Sequence, residues 1–148
     1  MREHGLDPIK IRPNGLMLAY PVITSGPSAH RGSIDHLLGD MRKDPRLLDE
    51  VSVERHVDST TPPVFIWHTV TDDCVPVDNA MLFIQSCLAA GVNVEAHLFP
   101  RGGHGLSLGT RETAWQGVHG IEPCVQPWPD LFAAWVRRTS RENSESQA

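Results

Sequence analysis

The sequence is 148 residues long, with 40% hydrophobic and 21% charged positions and a formal net charge of −5 at neutral pH. That composition fits one folded domain rather than a disordered chain, and an acidic balance without a basic run cannot neutralise a series of nucleic-acid phosphates. The longest apolar stretches, Leu16 to Ile23 interrupted by Pro21 and Val64 to Trp67, fall far short of the roughly 20 residues that cross a bilayer, so no membrane span is expected.

The start Met1-Arg2-Glu3-His4-Gly5 has no apolar core of a signal peptide, which leads us to expect a cytoplasmic protein or a processed piece of a longer one. The turn signal Pro13-Asn14-Gly15 leads into Leu16 to Ile23, apolar without alternation, as in a strand buried on both faces. Thr24 to Arg31 reads as loop. Short helical pieces are expected within Asp35 to Asp49, around Leu37-Leu38 and Leu47-Leu48, broken at Gly39 and Pro45. Pro62-Pro63 then introduces Val64-Phe65-Ile66-Trp67-His68, a second buried strand rich in β-branched and aromatic residues.

Apolar residues recur at Met81, Ile84, Cys87 and Leu88, with Asp78 and Asn79 as a start signal and Gly91 as a stop; the spacing predicts a helix. Val92 to Phe99 reads as a third strand, ended by Pro100. Strand, helix and strand in this order form a βαβ crossover, so a parallel α/β sheet with flanking helices is expected. A last helix should begin at Pro129 and present Leu131, Phe132, Trp135 and Val136 as one stripe, with Arg137 and Arg138 at the negative end of its dipole. Thr139 to Ala148 is polar except for its last residue, so the domain is expected to close at residue 138 and 139–148 to form a solvated tail. There is no internal repeat. Cys74, Cys87 and Cys124 are too few and too irregular for a disulfide framework, so they are read as reduced thiols.

In an open parallel sheet, functional groups gather in the loops at the C-terminal ends of the strands. Here those loops carry Thr71-Asp72-Asp73-Cys74-Val75-Pro76 and Arg101-Gly102-Gly103-His104-Gly105-Leu106. A carboxylate on one loop and an imidazole on the next can meet across the rim, the first orienting the second as a general base. Glycines at 102, 103 and 105 give the histidine loop freedom to turn sharply. Either Asp72 or Asp73 could supply the carboxylate.

Three groups of residues carry a resemblance to a known family. Thr61 to Thr69, the Asp-x-x-Val-Pro of Asp72 to Pro76, and Phe99-Pro100 with Gly103-His104-Gly105-Leu106 resemble the C-terminal half of α/β-hydrolase esterases. The similarity is to the acetyl-esterase and prolyl-oligopeptidase-like group that includes xylan and other carbohydrate deacetylases. Leu18 to Gly26, with Ala29-His30-Arg31-Gly32-Ser33, is similar to that group's preceding strand and loop, so the resemblance extends over residues 12 to 138. It implies Asp72 as the acid and His104 as the base of a triad, with the register favouring Asp72 over Asp73, and it requires no metal or organic cofactor. It also implies that the nucleophilic serine belongs to a Gly-x-Ser-x-Gly elbow after an earlier strand, and that the oxyanion-hole loop comes earlier still. Both are expected to be missing from these residues. The expected whole is therefore the last three strands of a hydrolase, inactive alone or a folding partner of an N-terminal half, with peptidase activity of the prolyl-oligopeptidase type as a further alternative. Its open sheet edge should favour that half or self-association, and its substrate would be a small-molecule or carbohydrate ester.

Other residues invite sharper and plainer readings side by side. Gly26-Pro27-Ser28-Ala29-His30 looks like an elbow, but Pro27 blocks the expected backbone. Cys74 beside Asp72 could be a nucleophile, yet no base is placed to activate it in the usual cysteine order. His68 ends a buried strand and reads as a hydrogen-bonded packing residue. His30 and Arg31 could line a substrate pocket or be solvated. His4, His36, His56, His97 and His119 show no HExxH or paired ligand spacing, so no metal site is expected. Trp115 and Trp128 read as packing residues rather than sugar-stacking platforms.

Overall fold

A computed structural model describes Gly5, residues 11–117 and residues 119–145. Three parallel strands, β1 (Leu16–Ala19), β2 (Val64–Thr69) and β3 (Val94–Phe99), form one sheet in that order. Leu16 lies opposite Val64, and Val64 opposite Val94, so the strands start level and the loops that leave β2 and β3 open at one rim. Four α-helices of the described residues accompany them: α1 (Arg31–Leu38), α2 (Pro45–Glu50), α3 (Asp78–Ala89) and α4 (Trp128–Glu145). The expected α/β arrangement of three parallel strands with flanking helices is therefore present.

The central strand, β2, is buried at every residue, which explains its unbroken apolar run: with both faces covered, alternation has no purpose. Successive side chains still point to opposite faces. Val64 and Ile66 pack with Ile23, Val92 and the α3 residues Ala80, Phe83 and Cys87. Phe65 and Trp67 pack on the other face with Leu106, Val125 and Trp135 of α4. Trp128 stacks on Trp67 with centroids 5.5 Å apart, and Phe132 meets Phe65 edge-on at 5.3 Å. No helix among the described residues is long and apolar enough to cross a membrane.

Four expectations are corrected by the backbone. The first strand stops at Ala19 instead of Ile23, because Tyr20 takes a left-handed φ of 40° and Pro21 has no N–H to continue the ladder. Asn79 does not cap α3, whose N-cap is Val77 without a side-chain bond. It turns inward instead, fully buried: its Oδ1 accepts from the Ile23 and Thr24 amides at 2.9 and 3.1 Å, and its Nδ2 donates to the Ser28 and Pro76 carbonyls at 2.9 and 3.0 Å. Pro45 begins α2 rather than breaking a helix, with Asp44 capping the Arg46 amide at 2.8 Å. The expected tail from Thr139 is helical as far as Glu145; Thr139 is buried, and an Arg138–Glu95 ion pair ties this turn to β3. Residues 146–148 of that tail lie outside the described residues.

Asn79 thus replaces ladder hydrogen bonds for the segment where β1 gives out. Asn79→Ala strips the Ile23 and Thr24 amides and the Ser28 carbonyl of this partner, while the Pro76 carbonyl keeps the residue-79 backbone N–H, and should lower the unfolding free energy by about 3 kcal/mol. Urea denaturation followed by tryptophan fluorescence measures it; a loss under about 1 kcal/mol would mean that water takes over the role.

Candidate active site

Asp72 follows β2 in a tight turn. Its Oδ1 accepts from the Cys74 and Val75 amides at 2.9 and 2.8 Å, the local closure for which aspartate is favoured in turns. That leaves Oδ2 directed at the neighbouring loop, where it meets His104 Nδ1 at 2.9 Å. The Asp72 side chain has no exposure, whereas 32% of the His104 side chain reaches solvent. Asp73 takes a different part: its Oδ1 accepts the His104 backbone N–H at 3.3 Å. One carboxylate therefore faces the imidazole and the next holds the backbone that carries it.

A carboxylate can only accept, so His104 donates through Nδ1–H and its neutral ring leaves the Nε2 lone pair open. Nε2 has no hydrogen bond from the described residues. Burial pushes the Asp72 carboxyl upward, but the Val75 and Cys74 amides and His104 outweigh it and hold the group below the ordinary carboxylate value. Asp72 is therefore ionised at neutral pH.

The histidine loop is fastened to the β2 loop by two threonines that the sequence reading passed over. Thr69 Oγ1 donates to the Gly102 carbonyl at 2.9 Å, and the Gly102 amide donates to Thr71 Oγ1 at 3.0 Å. Gly102 has φ of 135°, and a Cβ there would lie 2.5 Å from Leu106 Cδ1, so both conformation and space require glycine. Tyr20, at the end of β1, sets its ring edge-on to His104 at 5.0 Å and to Trp67 at 4.9 Å. The left-handed turn that ends β1 is what delivers this ring.

His68 is completely buried, and its Nε2 lies 2.9 Å from the Val75 carbonyl and 3.2 Å from Asp72 Oδ2. The hydrogen-bonded packing reading thus holds, with Asp72 as an unforeseen partner. Burial lowers its pKa from the ordinary histidine value, against the Val75 carbonyl and the Asp72 charge, which raise it.

Cys74 is exposed and lies 3.5 Å from His30 Nε2, so a ring does stand beside this thiol, contrary to expectation. That ring also caps α1, its Nδ1 accepting the Ser33 amide at 3.3 Å. Arg31 donates to the Ser25 carbonyl at 2.9 Å, a structural bond. Trp128 packs as expected and donates to the Ser107 carbonyl at 2.8 Å. Trp115 does not: it is 71% exposed. Among the described residues, no three His, Cys, Asp or Glu side chains could hold a metal ion.

The serine question needs a correction of its own. A pentapeptide of the elbow's letter pattern does occur, Gly105-Leu106-Ser107-Leu108-Gly109, directly after His104. It lies in turns rather than between a strand and a helix. Ser107 has a left-handed φ of 52°, yet its hydroxyl makes no hydrogen bond to His104. Ser28 lies in the turn closed by the Ala29 amide on the Gly26 carbonyl at 3.1 Å, and it too makes no hydrogen bond to His104. A cleft of about 290 Å³ opens beside the imidazole, lined by Asp73, Gly103, His104, Leu106, Ile121 and Glu122 among others.

Comparison with known proteins gives three further findings. The family model described as the prolyl oligopeptidase family matches residues 34–117. Among curated proteins, endo-1,4-beta-xylanase B of Butyrivibrio fibrisolvens is 41% identical over 108 residues, and acetylxylan esterase of Xylanibacter ruminicola is 34% identical over 109. These alignments include 72% and 71% of this chain but only 17% and 23% of the relatives. Among solved structures, the acetyl ester-xyloside bifunctional hydrolase from Caldicellulosiruptor lactoaceticus superposes with a TM-score of 0.75 at 39% identity, over 87% of this chain and 43% of that one.

Proposed function

Since the chain belongs to the prolyl oligopeptidase family of α/β-hydrolases, we propose that it carries the acid and base of a serine-type carboxylic ester hydrolase acting on O-acetyl groups of carbohydrates. The observation that carries this reading is the 2.9 Å bond between buried Asp72 and His104, which leaves Nε2 open at the rim of the sheet. The names of the relatives, an acetylxylan esterase and an acetyl ester-xyloside hydrolase, support an ester over the peptide bond that the family name suggests.

The chemistry is assigned as follows. His104 Nε2 takes the proton of a serine hydroxyl as its oxygen attacks the acetyl carbon, and Asp72 stabilises the imidazolium that forms. The tetrahedral intermediate expels the sugar alkoxide, which receives that proton from Nε2–H. Water then enters by the same relay and releases acetate.

We assign the serine to polypeptide outside these 148 residues, because neither Ser28 nor Ser107 stands in an elbow or bonds to His104. The chain spans about a fifth of the curated relatives it matches. The outer side of β1, an edge with no strand beyond it among the described residues, is the proposed seam for the remaining strands. The three free cysteines support a reducing, cytoplasmic setting.

A fluorophosphonate probe and an acetyl-ester assay test this together. The chain alone should neither label nor release acetate above background. Mixed or co-expressed with an N-terminal segment bearing a strand–Gly-x-Ser-x-Gly–helix elbow, it should gain both. Labelling of the chain alone that Ser107→Ala or Ser28→Ala abolishes would place the nucleophile here instead.

A further inference from the structure

The buried face of β2 ends in an imidazole that the proposed relay does not use. His68 shares a strand face with Val64 and Ile66, where a leucine would satisfy packing. Instead its Nδ1 is buried without a partner, an unfavourable placement that the Nε2 contacts must offset. Both of those contacts, the Val75 carbonyl at 2.9 Å and Asp72 Oδ2 at 3.2 Å, are acceptors. Nε2 therefore carries the hydrogen, bonded to the Val75 carbonyl with Asp72 Oδ2 beside it, and the neutral ring is fixed as the Nε2–H tautomer.

With this contact, both Asp72 oxygens have donor groups on two sides. Oδ1 receives the Cys74 and Val75 amides; Oδ2 receives His104 on one side and His68 on the other. We propose that His68 is a positioning residue: its Nε2–H locks the rotation of the Asp72 carboxylate and tempers the pull of Oδ2 on the His104 Nδ1–H. The consequence for turnover rests on the hydrolase reading above. A carboxylate held less firmly, or one more basic, would bind the His104 imidazolium too tightly for it to return its proton to the leaving group. The bond geometry itself stands without that reading.

The other ionisable groups around this chain are few. Asp73 holds the His104 backbone, Tyr20 packs on the His104 ring from the end of β1, and Glu122 shares the cleft. None of them contacts Asp72 Oδ2, so the effect of His68 can be read separately.

The experiment is nitrogen-15 NMR of the histidine side chains in the full chain, without substrate, for the native protein, His68→Leu and His68→Gln. Removing the donor should raise the His104 titration midpoint by about half a pH unit or more, because a freer carboxylate favours the imidazolium. His68→Gln, which keeps an N–H at similar reach, should stay near the native midpoint. A folded His68→Leu protein whose His104 midpoint is unmoved or lowered would overturn the proposal. If that variant does not fold, the native spectrum decides: His68 should be the Nε2–H tautomer at neutral pH, and an Nδ1–H ring there overturns it. No ester is present, so failure of the esterase assay leaves this result standing.

Discussion

His104→Ala, introduced into the chain reassembled with the proposed N-terminal segment, should lower kcat by about 10⁵-fold while changing KM little, since it removes the proposed acceptor of the serine proton. The fold should tolerate it. His104 is partly exposed at the rim, its ring contacts are Tyr20 and Asp72, and neither core cluster includes it. A thermal midpoint close to native, together with loss of acetate release and retained binding of a non-hydrolysable ester analogue, is the expected pattern. Full activity in this variant would remove His104 from the mechanism.

Asp72→Asn should affect both activity and stability. The amide oxygen can still receive the Cys74 and Val75 amides in the Oδ1 position. The Oδ2 position then becomes an NH₂ facing two former donors, His104 Nδ1–H and His68 Nε2–H. His104 can relieve its side by switching tautomer, which buries the lone pair and turns Nε2–H outward, so a loss of about 10⁴-fold in kcat is expected. His68 has no such freedom because the Val75 carbonyl holds its hydrogen, and a destabilisation of about 2 kcal/mol should follow.

The pH dependence gives an independent check. Asp72 is held below the ordinary carboxylate value in the folded state, so the unfolded chain binds its proton first as pH falls. The stability this group contributes is present above the unfolded value near 4 and is lost as pH drops through the lower folded value. Native protein should lose stability across that acid window. Asp72→Asn should show a smaller loss there, and equal slopes in both proteins would contradict the assignment.

The parts of this molecule readable from sequence are those where one local rule decides. Val64 to His68 is apolar without alternation because both faces are covered, and Met81, Ile84, Cys87 and Leu88 mark a helix by spacing, although Met81 and Leu88 turn to solvent and Ala80 and Phe83 join Cys87 in the core. The Asp-x-x-Val-Pro turn is legible because an aspartate closes over the two amides that follow Cys74's predecessor, as Asp72 does. What escaped depends on contacts distant in sequence. Asn79 looks like a helix cap until the Ile23 and Thr24 amides, more than 50 residues earlier, are known to lie beside it. The polar residues from Thr139 onward look like a tail until Glu95 is seen to pair with Arg138. The letters Gly-x-Ser-x-Gly at 105–109 show the converse. An elbow is a backbone path from strand to helix, and the same residues placed in turns after His104 do not make one.

Tyr20 is the sole tyrosine of the sequence, and the fold sets that ring against the proposed base. Its aromatic proton resonances are therefore a built-in label, isolated in the spectrum by isotope incorporation at one residue type. Protonation of the neighbouring imidazole alters the ring current they experience. The chemical state of residue 104 can thus be followed in unmutated protein, through each stage of assembly with a partner segment, without attaching a foreign probe to the rim.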